Sequence, residues 1–273
     1  MKFLLLSTTA LAILSGPVLA NDVRIPSRSP VGPALYAWTG CYVGGHAGAG
    51  WDRSTFSDPG TVAVPFFGTV PVLNQNIAPP GASIGVDGPG AALGGVQVGC
   101  DYQFATNWVI GLAGDFSWTH IEGQGVDPFF AGKDGGPIKL NTRTDSLASV
   151  TGRVGYTWGN FLLYGKGGAA WAHDRYSITD LNGLSGTPCG NGLPIACNPT
   201  ASTTRLGWTA GVGIEWAFAN NWSALVEYVH YGFDNKTLAF TDPNANGPAF
   251  LNVKQNVDAV KLGINYRFAP IRP

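Results

Sequence analysis

Three histidines are the residues of this chain best placed for catalysis, because His120, His173 and His230 lie at or just beyond the ends of alternating apolar runs. A histidine can activate a serine for nucleophilic attack, but no Ser lies at a spacing that pairs with any of the three. The four histidines of the chain are scattered rather than clustered as metal ligands are. Two glycine-rich stretches, 44–50 and 166–168, do not match the phosphate-binding patterns GxxxxGKS and GxxxxGKT. The sequence therefore predicts no catalytic, metal or cofactor site, and no enzyme.

Eight charged residues, four of each sign, alternate with apolar residues and define a second candidate site. Burying a lone charge is costly, so a balanced set of charges on one face of a sheet indicates a salt-bridged core. A charge-lined pore is the alternative interpretation. The eight residues are Asp101, Asp115, Arg153, Lys166, Glu215, Glu227, Lys261 and Arg267.

The apolar residues around these charges recur with a period of two, which is typical of β-strands with one apolar face. In 205–218, the even positions from Leu206 to Phe218 are all apolar, whereas the odd positions from Arg205 to Ala217 are small, polar or charged. The pattern predicts eight strands, of which the first is glycine-rich and ambiguous in phase. Their ranges are 38–51, 96–104, 108–119, 148–158, 161–171, 205–218, 222–230 and 260–268.

Aromatic residues cluster at one end of the predicted strands, next to three tight turns. These turns are Ala105–Asn107, Gly159–Asn160 and Ala219–Asn221, whereas the other connections are much longer. Amphipathic rings are stable at the boundary between lipid headgroups and hydrocarbon. Short turns on one side and long loops on the other are typical of outer-membrane barrels. The sequence therefore predicts an all-β fold, an eight-stranded antiparallel up-and-down transmembrane β-barrel. We expect Tyr36 and Trp38 to extend the aromatic cluster to the first strand.

A soluble secreted barrel or a β-sandwich is the alternative fold. Its second strand face would be solvated and rich in Lys, Glu, Thr and Ser, whereas here that face carries mainly Gly, Ala, Ser and isolated charges. Charged residues make up only 12% of the chain, which contains 39 Gly and 9 Trp, and this composition favours the membrane barrel. A net charge of -1 argues against binding to nucleic acid.

The N-terminus has the pattern of a secretory signal peptide. Lys2 precedes an apolar run from Phe3 to Leu14, and Ala20 is the small residue that cleavage requires. An N-terminal membrane anchor is the alternative, but the run is shorter than the ~20 residues of a spanning helix. We therefore expect a signal peptide at 1–20, a Pro-rich periplasmic lead-in at 21–35, the barrel at 36–268 and a C-terminal tail at 269–273.

Four cysteines in an exported chain can form two disulfides. Cys189 and Cys197 lie within one long loop, which favours a local bond between them. Cys41, near the start of the first strand, and Cys100, near the end of the second, fall at similar heights on neighbouring strands. They are therefore within the reach of a disulfide. Two reduced, lipid-facing thiols are the alternative for that pair.

Three short segments resemble the porin-family outer-membrane immunogenic proteins, small eight-stranded barrels similar in architecture to the membrane domain of outer-membrane protein A. The segments are 38–45 (WTGCYVGG), 94–103 (GGVQVGCDYQ) and 261–268 (KLGINYRF). The resemblance implies a location in the outer membrane of a Gram-negative bacterium and a role as a surface antigen. It also implies outer-membrane lipid, the barrel-assembly machinery and host or surface ligands as partners. Family barrels usually end on the last aromatic, so the tail after Phe268 departs from their pattern.

We therefore expect a structural barrel that contributes to envelope integrity and presents long loops for surface recognition. A low-conductance porin-like channel and a lipid-modifying enzyme are the alternatives, and the balanced charges favour neither. Ile214→Arg should block insertion because it places a charge in lipid. Gly213→Ser, on the opposite face of the same strand, should be tolerated.

Overall fold

The computed structural model describes residues 36–57, 59, 61–64, 68–71, 83–126, 138–180, 198–241 and 249–268. They form the strands β1 (Gly40–Ser57), β2 (Thr61–Val64), β3 (Gly68–Pro71), β4 (Ser83–Asp87), β5 (Ala91–Phe104), β6 (Trp108–Val126), β7 (Ile138–Trp158), β8 (Phe161–Asp180), β9 (Thr200–Ala219), β10 (Trp222–Phe240) and β11 (Ala249–Arg267). None of these residues belongs to a helix long and apolar enough to span a bilayer. The predicted signal peptide, lead-in and C-terminal tail lie outside the described residues.

Eight long strands close into an antiparallel ring, as the alternation predicted. From β5 to β11 each strand pairs with the next, and β1 pairs with both β5 and β11. The closing register runs from Tyr42 opposite Arg267 to Ser57 opposite Asn252. A closed ring has no free edge, so the backbone groups of every long strand find partners within the sheet.

The short strand β4 continues the barrel wall where β5 begins. It pairs with the end of β1 on one side and with β6 on the other. The break between β4 and β5 falls at 88–90, where Gly88 lies close to the backbone of β6. A side chain at Gly88 would collide with the carbonyl of Glu122, so this close approach requires glycine. The long connection before β4 also contains a hairpin of β2 and β3.

The short turns join the strands at one end of the barrel, here called the turn end, and the long connections lie at the opposite loop end. Toward the loop end the strands run well past their predicted limits. For example, β8 ends at Asp180 instead of 171, and β7 begins at Ile138 instead of 148. The prediction was short because the outward face becomes polar beyond Trp171, while inward residues such as Ile178 are apolar and buried.

The interior is layered along the barrel axis. One apolar cluster, which includes Trp38 and Leu162, lies at the turn end. A second, which includes Leu147 and Val257, lies at mid-height, and a third, which includes Ile178, lies toward the loop end. Charged and polar side chains occupy the levels between these clusters. Side chains therefore fill the lumen along its described length.

Candidate functional site

The outward face of the barrel carries two levels of exposed aromatic residues. The first level, at the turn end, consists of Tyr102, Phe104, Trp108, Tyr156, Trp158, Phe161, Trp216, Phe218, Trp222, Tyr266 and Phe268. The second level, toward the loop end, consists of Trp51, Phe116, Trp118, Trp171 and Trp208. Tyr228 is also exposed, six residues past Trp222 on β10 and so between the two levels.

The distance between the two aromatic levels matches a bilayer. Ten residues separate Trp108 from Trp118, and ten separate Phe161 from Trp171. On strands that tilt by ~40°, this separation spans about 25 Å along the barrel axis. An outward apolar band of that height is typical of outer-membrane barrels. We therefore take the strand segments between the two levels as the membrane-spanning part.

Four of the predicted lumen charges form a neutral group near the turn end, here called the lower quartet. Arg153 Nε donates to Asp101 Oδ1 over 2.7 Å, and Arg153 Nη1 donates to Glu215 Oε2 over 3.2 Å. Arg267 Nη2 lies 2.8 Å from Asp101 Oδ2 and 3.8 Å from Glu215 Oε1. No side chain of the quartet is more than 3% exposed. Two buried guanidinium groups are thus balanced by two buried carboxylates.

The other four predicted charges form a second neutral group closer to mid-height, the upper quartet. Lys166 Nζ donates to Glu227 Oε1 over 2.5 Å and lies 3.6 Å from Asp115 Oδ1. Lys261 Nζ donates to Asp115 Oδ2 over 2.8 Å and to the Tyr231 hydroxyl over 2.8 Å. The structure therefore places all eight predicted charges inside the barrel and pairs each with at least one opposite charge.

Aromatic rings close the space around the quartets. The guanidinium of Arg153 lies 4.8 Å from the ring centroid of Tyr42 and 5.0 Å from that of Tyr164. The void that these residues line has a volume of about 20 Å³, room for a single water. A Cβ atom at Gly213 would lie 2.6 Å from the Tyr164 ring. A side chain at position 213 would have to displace the buried Tyr164 ring, so this packing predicts that Gly213→Ser lowers stability, in place of the tolerance expected from the sequence.

Trp38 closes the turn end from inside and does not join the outer aromatic level. Its side chain is fully buried, and its backbone N–H donates to Gln103 Oε1 over 3.1 Å. Its carbonyl accepts a hydrogen bond from Arg267 Nη1 over 2.6 Å, and the same guanidinium lies 5.5 Å from its ring. Tyr36 packs edge-on against it, with ring centroids 4.8 Å apart. The prediction of an interfacial position is wrong, because these residues precede β1 and pack into the barrel opening against a buried cation.

A polar network crosses the interior beyond the second aromatic level, outside the membrane-spanning part. Thr144 Oγ1 donates to Asp174 Oδ1 over 2.7 Å, and Gln255 Nε2 donates to the same oxygen over 3.3 Å. Arg205 Nη1 donates to the Tyr176 hydroxyl over 3.1 Å. Burial raises the pKa of Asp174, and the hydrogen bond from Thr144 and the charge of Arg205 offset this rise only in part. The sequence did not predict the network because Thr144, Asp174, Tyr176 and Gln255 lie beyond the predicted strand ends, and only Arg205 lies within one.

The structure joins Cys41 to Cys100 by a disulfide. The two cysteines are directly opposite each other in the register of β1 and β5, and both are exposed on the outward face. The bond therefore ties the strand that closes the ring to its neighbour near the turn end. A Cys189–Cys197 bond stays a prediction, since both residues lie outside the described part of the chain.

A histidine and a serine that the sequence analysis did not pair meet inside the barrel. His46 Nε2 lies 2.8 Å from Ser117 Oγ, and His46 Nδ1 lies 3.2 Å from Gln97 Oε1. Ser117 is fully buried, so a substrate has no access to its hydroxyl. The contact joins β1 to β6 across β5. The sequence did not predict it because the phase of the first strand, which decides whether His46 points inward, was ambiguous.

The other three histidines lie apart on the outer wall. His173 Nδ1 lies 3.1 Å from Thr204 Oγ1, and His230 Nδ1 lies 2.7 Å from Asp258 Oδ1. His120 is exposed on β6. The described residues contain no group of three or more His, Cys, Asp or Glu side chains that could hold a metal ion.

Comparison with known proteins places this geometry in a family. The family model described as "Outer membrane protein beta-barrel domain" matches residues 8–268. The chain is 28% identical over 260 residues to the 31 kDa outer-membrane immunogenic protein of Brucella melitensis, covering 95% of each chain. It is 25% identical over 277 residues to the 25 kDa outer-membrane immunogenic protein of Brucella abortus, covering 98% of this chain and 99% of the relative.

Among solved structures, the outer membrane protease OmpT from Escherichia coli aligns with 87% of this chain and 99% of its own, at 11% identity and a TM-score of 0.49. The family match and the two Brucella relatives both extend over the whole ring of strands described above. The chain therefore belongs to the family of outer-membrane protein β-barrel domains and is located in the outer membrane of a Gram-negative bacterium.

Proposed function

We propose that this protein is a closed structural barrel that contributes to envelope integrity and presents its loop end for surface recognition. The observation that carries the proposal is the pairing of all eight lumen charges within two neutral quartets. A conducting pore needs polar groups that are free to exchange partners with a passing ion. Here each charge already has a protein partner, so an ion would have to displace one of them.

The rest of the interior supports the same proposal. Eight strands enclose little more than the side chains that point inward. Trp38 lies across the turn end, and apolar clusters occupy the levels above the quartets. A solute would therefore have to cross several apolar layers as well as two ion-pair networks. The buried Ser117 likewise gives no support to an enzymatic role.

Planar-bilayer recording of the purified full-length protein tests the proposal. We expect no discrete conductance steps from the wild-type chain. A triple variant, Trp38→Ala with Lys166→Ser and Glu227→Ser, removes the turn-end ring and one neutral pair but leaves the lower quartet and the two upper apolar clusters in place, so it should also show no conductance steps. Arg53→Gln, on the outer wall, is the silent control. Steps from the wild-type protein would overturn the proposal in favour of the low-conductance channel.

The relatives are named as immunogenic proteins, and this name supports exposure of the loop end at the cell surface. The test is labelling of intact cells with a membrane-impermeant maleimide. Asn235→Cys lies exposed at the loop end of β10, whereas Asn107→Cys lies in a turn-end connection. We expect labelling above the unsubstituted chain only for Asn235→Cys. The opposite pattern would show that the turn end faces outward.

A further inference from the structure

Two arginines stand side by side on the outer wall, beyond the second aromatic level. Arg143 of β7 and Arg175 of β8 are direct cross-strand partners, and their side chains are 39% and 61% exposed. Arg175 lies four residues past Trp171 on the same strand, which corresponds to about 10 Å along the barrel axis. At that height the lipid headgroups replace hydrocarbon around the barrel.

The two arginines share their nearest carboxylate. Like charges directly opposite each other on a sheet repel. Asp145, at a bulge in β7, lies 2.9 Å from the Nε atoms of both arginines. Glu122 is 3.8 Å from Arg143, and no other carboxylate of the described residues lies within 4.0 Å of either guanidinium. The two cations thus share one close anion, and a second anion lies 3.8 Å from Arg143.

A cleft of about 360 Å³ lies beside the pair, and most of its exposed lining is apolar. Its outward side chains offer guanidinium, amide and hydroxyl groups, and they are Asn141, Arg143, Arg175, Ser177, Thr200 and Ser202. Asn141 Nδ2 donates to Ser177 Oγ over 3.3 Å, which holds the two side chains at the floor of the cleft. Arginine forks match phosphate oxygens in bidentate geometry, and neighbouring hydroxyls add further donors. The polar side chains of the cleft are therefore donors of the kind that bind phosphate oxygens.

We propose that this cleft binds a phosphate group of the outer-leaflet glycolipid, with Arg143 and Arg175 as its principal ligands. The site opens sideways from the barrel wall, at headgroup height, and not toward the loop end. A phosphorylated glycolipid is the main lipid of the outer leaflet of this membrane, so its sugar phosphates lie at the level of the cleft. A phosphate on a lipid is also held at high local concentration, because the protein and the lipid share one membrane.

Arg53 offers a matched comparison on the same outer wall. It lies two residues past Trp51 and is 72% exposed. Its one ionic partner within the described part of the chain is Asp258, 3.8 Å away. Arg53 is also exposed beyond the second aromatic level, but its cross-strand partners are Asn256 and Asp87 rather than a second arginine. Arg53 should therefore contribute little to binding of the glycolipid.

The test is native mass spectrometry of the full-length protein titrated with bisphosphorylated lipid A and with chemically dephosphorylated lipid A. We expect the wild type to bind the phosphorylated form at least tenfold more tightly. Arg143→Gln with Arg175→Gln should remove that preference, and Arg53→Gln should keep it. Asp145→Asn should strengthen binding several-fold, because it frees both guanidinium groups. This gain of affinity keeps the test decisive even if the double variant fails to fold.

Three results would overturn the proposal. The first is equal affinity of the wild type for both forms of lipid A. The second is an equal loss of affinity in the Arg53→Gln variant and in the double variant, which would indicate a diffuse charge effect. The third is displacement of lipid A by millimolar inorganic phosphate, which would identify a site for free anions rather than for a lipid headgroup.

Discussion

Arg153→Met is the substitution that tests the lower quartet most directly. Methionine keeps much of the volume between the Tyr42 and Tyr164 rings but removes the hydrogen bonds to Asp101 and Glu215. Two fully buried carboxylates then share the single guanidinium of Arg267. Breaking a buried pair in this way costs about 3–5 kcal/mol, because an uncompensated charge stays behind.

Neutralising one of the carboxylates separates the contribution of charge to this loss of stability from the contribution of packing. Glu215→Gln alone leaves two cations against one anion and should cost about 3 kcal/mol by the same reasoning. In the double variant, which combines Arg153→Met with Glu215→Gln, the Arg267 cation faces the Asp101 carboxylate alone. We therefore expect the double variant to lose about 3 kcal/mol rather than about 6, a coupling near the upper end of the range for contacting residues.

The assay is urea unfolding of the refolded barrel in phospholipid vesicles, followed by tryptophan fluorescence. Arg53→Met serves as the control, since its side chain is 72% exposed and its ion pair spans 3.8 Å. Its effect should stay within about 0.5 kcal/mol. Strict additivity of Arg153→Met and Glu215→Gln would refute the view that charge balance holds this layer together.

Three further predictions concern the wall and the interior. Ile214→Arg should impair insertion into vesicles, since an arginine on the lipid face costs ~2–4 kcal/mol at the midplane and less toward the interface, and Ile214 lies two residues from Trp216; insertion at the wild-type yield would show that the strand phase is reversed. Gly213→Ser should lower the urea midpoint, because its Cβ would lie 2.6 Å from a buried ring, and an unchanged midpoint would contradict the tight packing. Burial raises the pKa of Asp174, so the Asp174 carboxyl group binds its proton more tightly in the folded barrel than in the unfolded chain. The free energy of unfolding should therefore fall as the pH rises from about 4 toward neutrality, and Asp174→Asn should flatten that dependence.

The sequence predicts the membrane-spanning halves of the strands but not their loop-end halves, and the reason is a change of phase. Along β8 the exposed apolar residues are odd-numbered as far as Trp171. Beyond it, the buried apolar residues Tyr176 and Ile178 are even-numbered, while Arg175 and Ser177 face outward. The strand continues, but its apolar face turns from lipid to the interior, so a period-two pattern in one phase stops.

The site was predictable as a set of charges and not as a set of pairs. Sign balance and strand phase identify all eight lumen residues, because both are local properties of the sequence. Partner choice depends on the stagger of the ring, which places Lys261 against Asp115 across the lumen. The same stagger brings His46 to Ser117. Trp38 lies before the first strand, so no periodicity governs its direction.

The ten-residue separation of the aromatic levels also fixes how this protein fits bilayers of different thickness. A single helix can tilt or kink to reduce hydrophobic mismatch, but each long strand here is hydrogen-bonded to two neighbours around the ring. The lipid must therefore adapt to the barrel. A bilayer thicker than the ~25 Å apolar band has to thin around the whole circumference, at a cost of a fraction of a kcal/mol per Å of mismatch. The bacterial outer membrane is thinner than average, so thickness alone favours retention of this barrel there over residence in a thicker membrane.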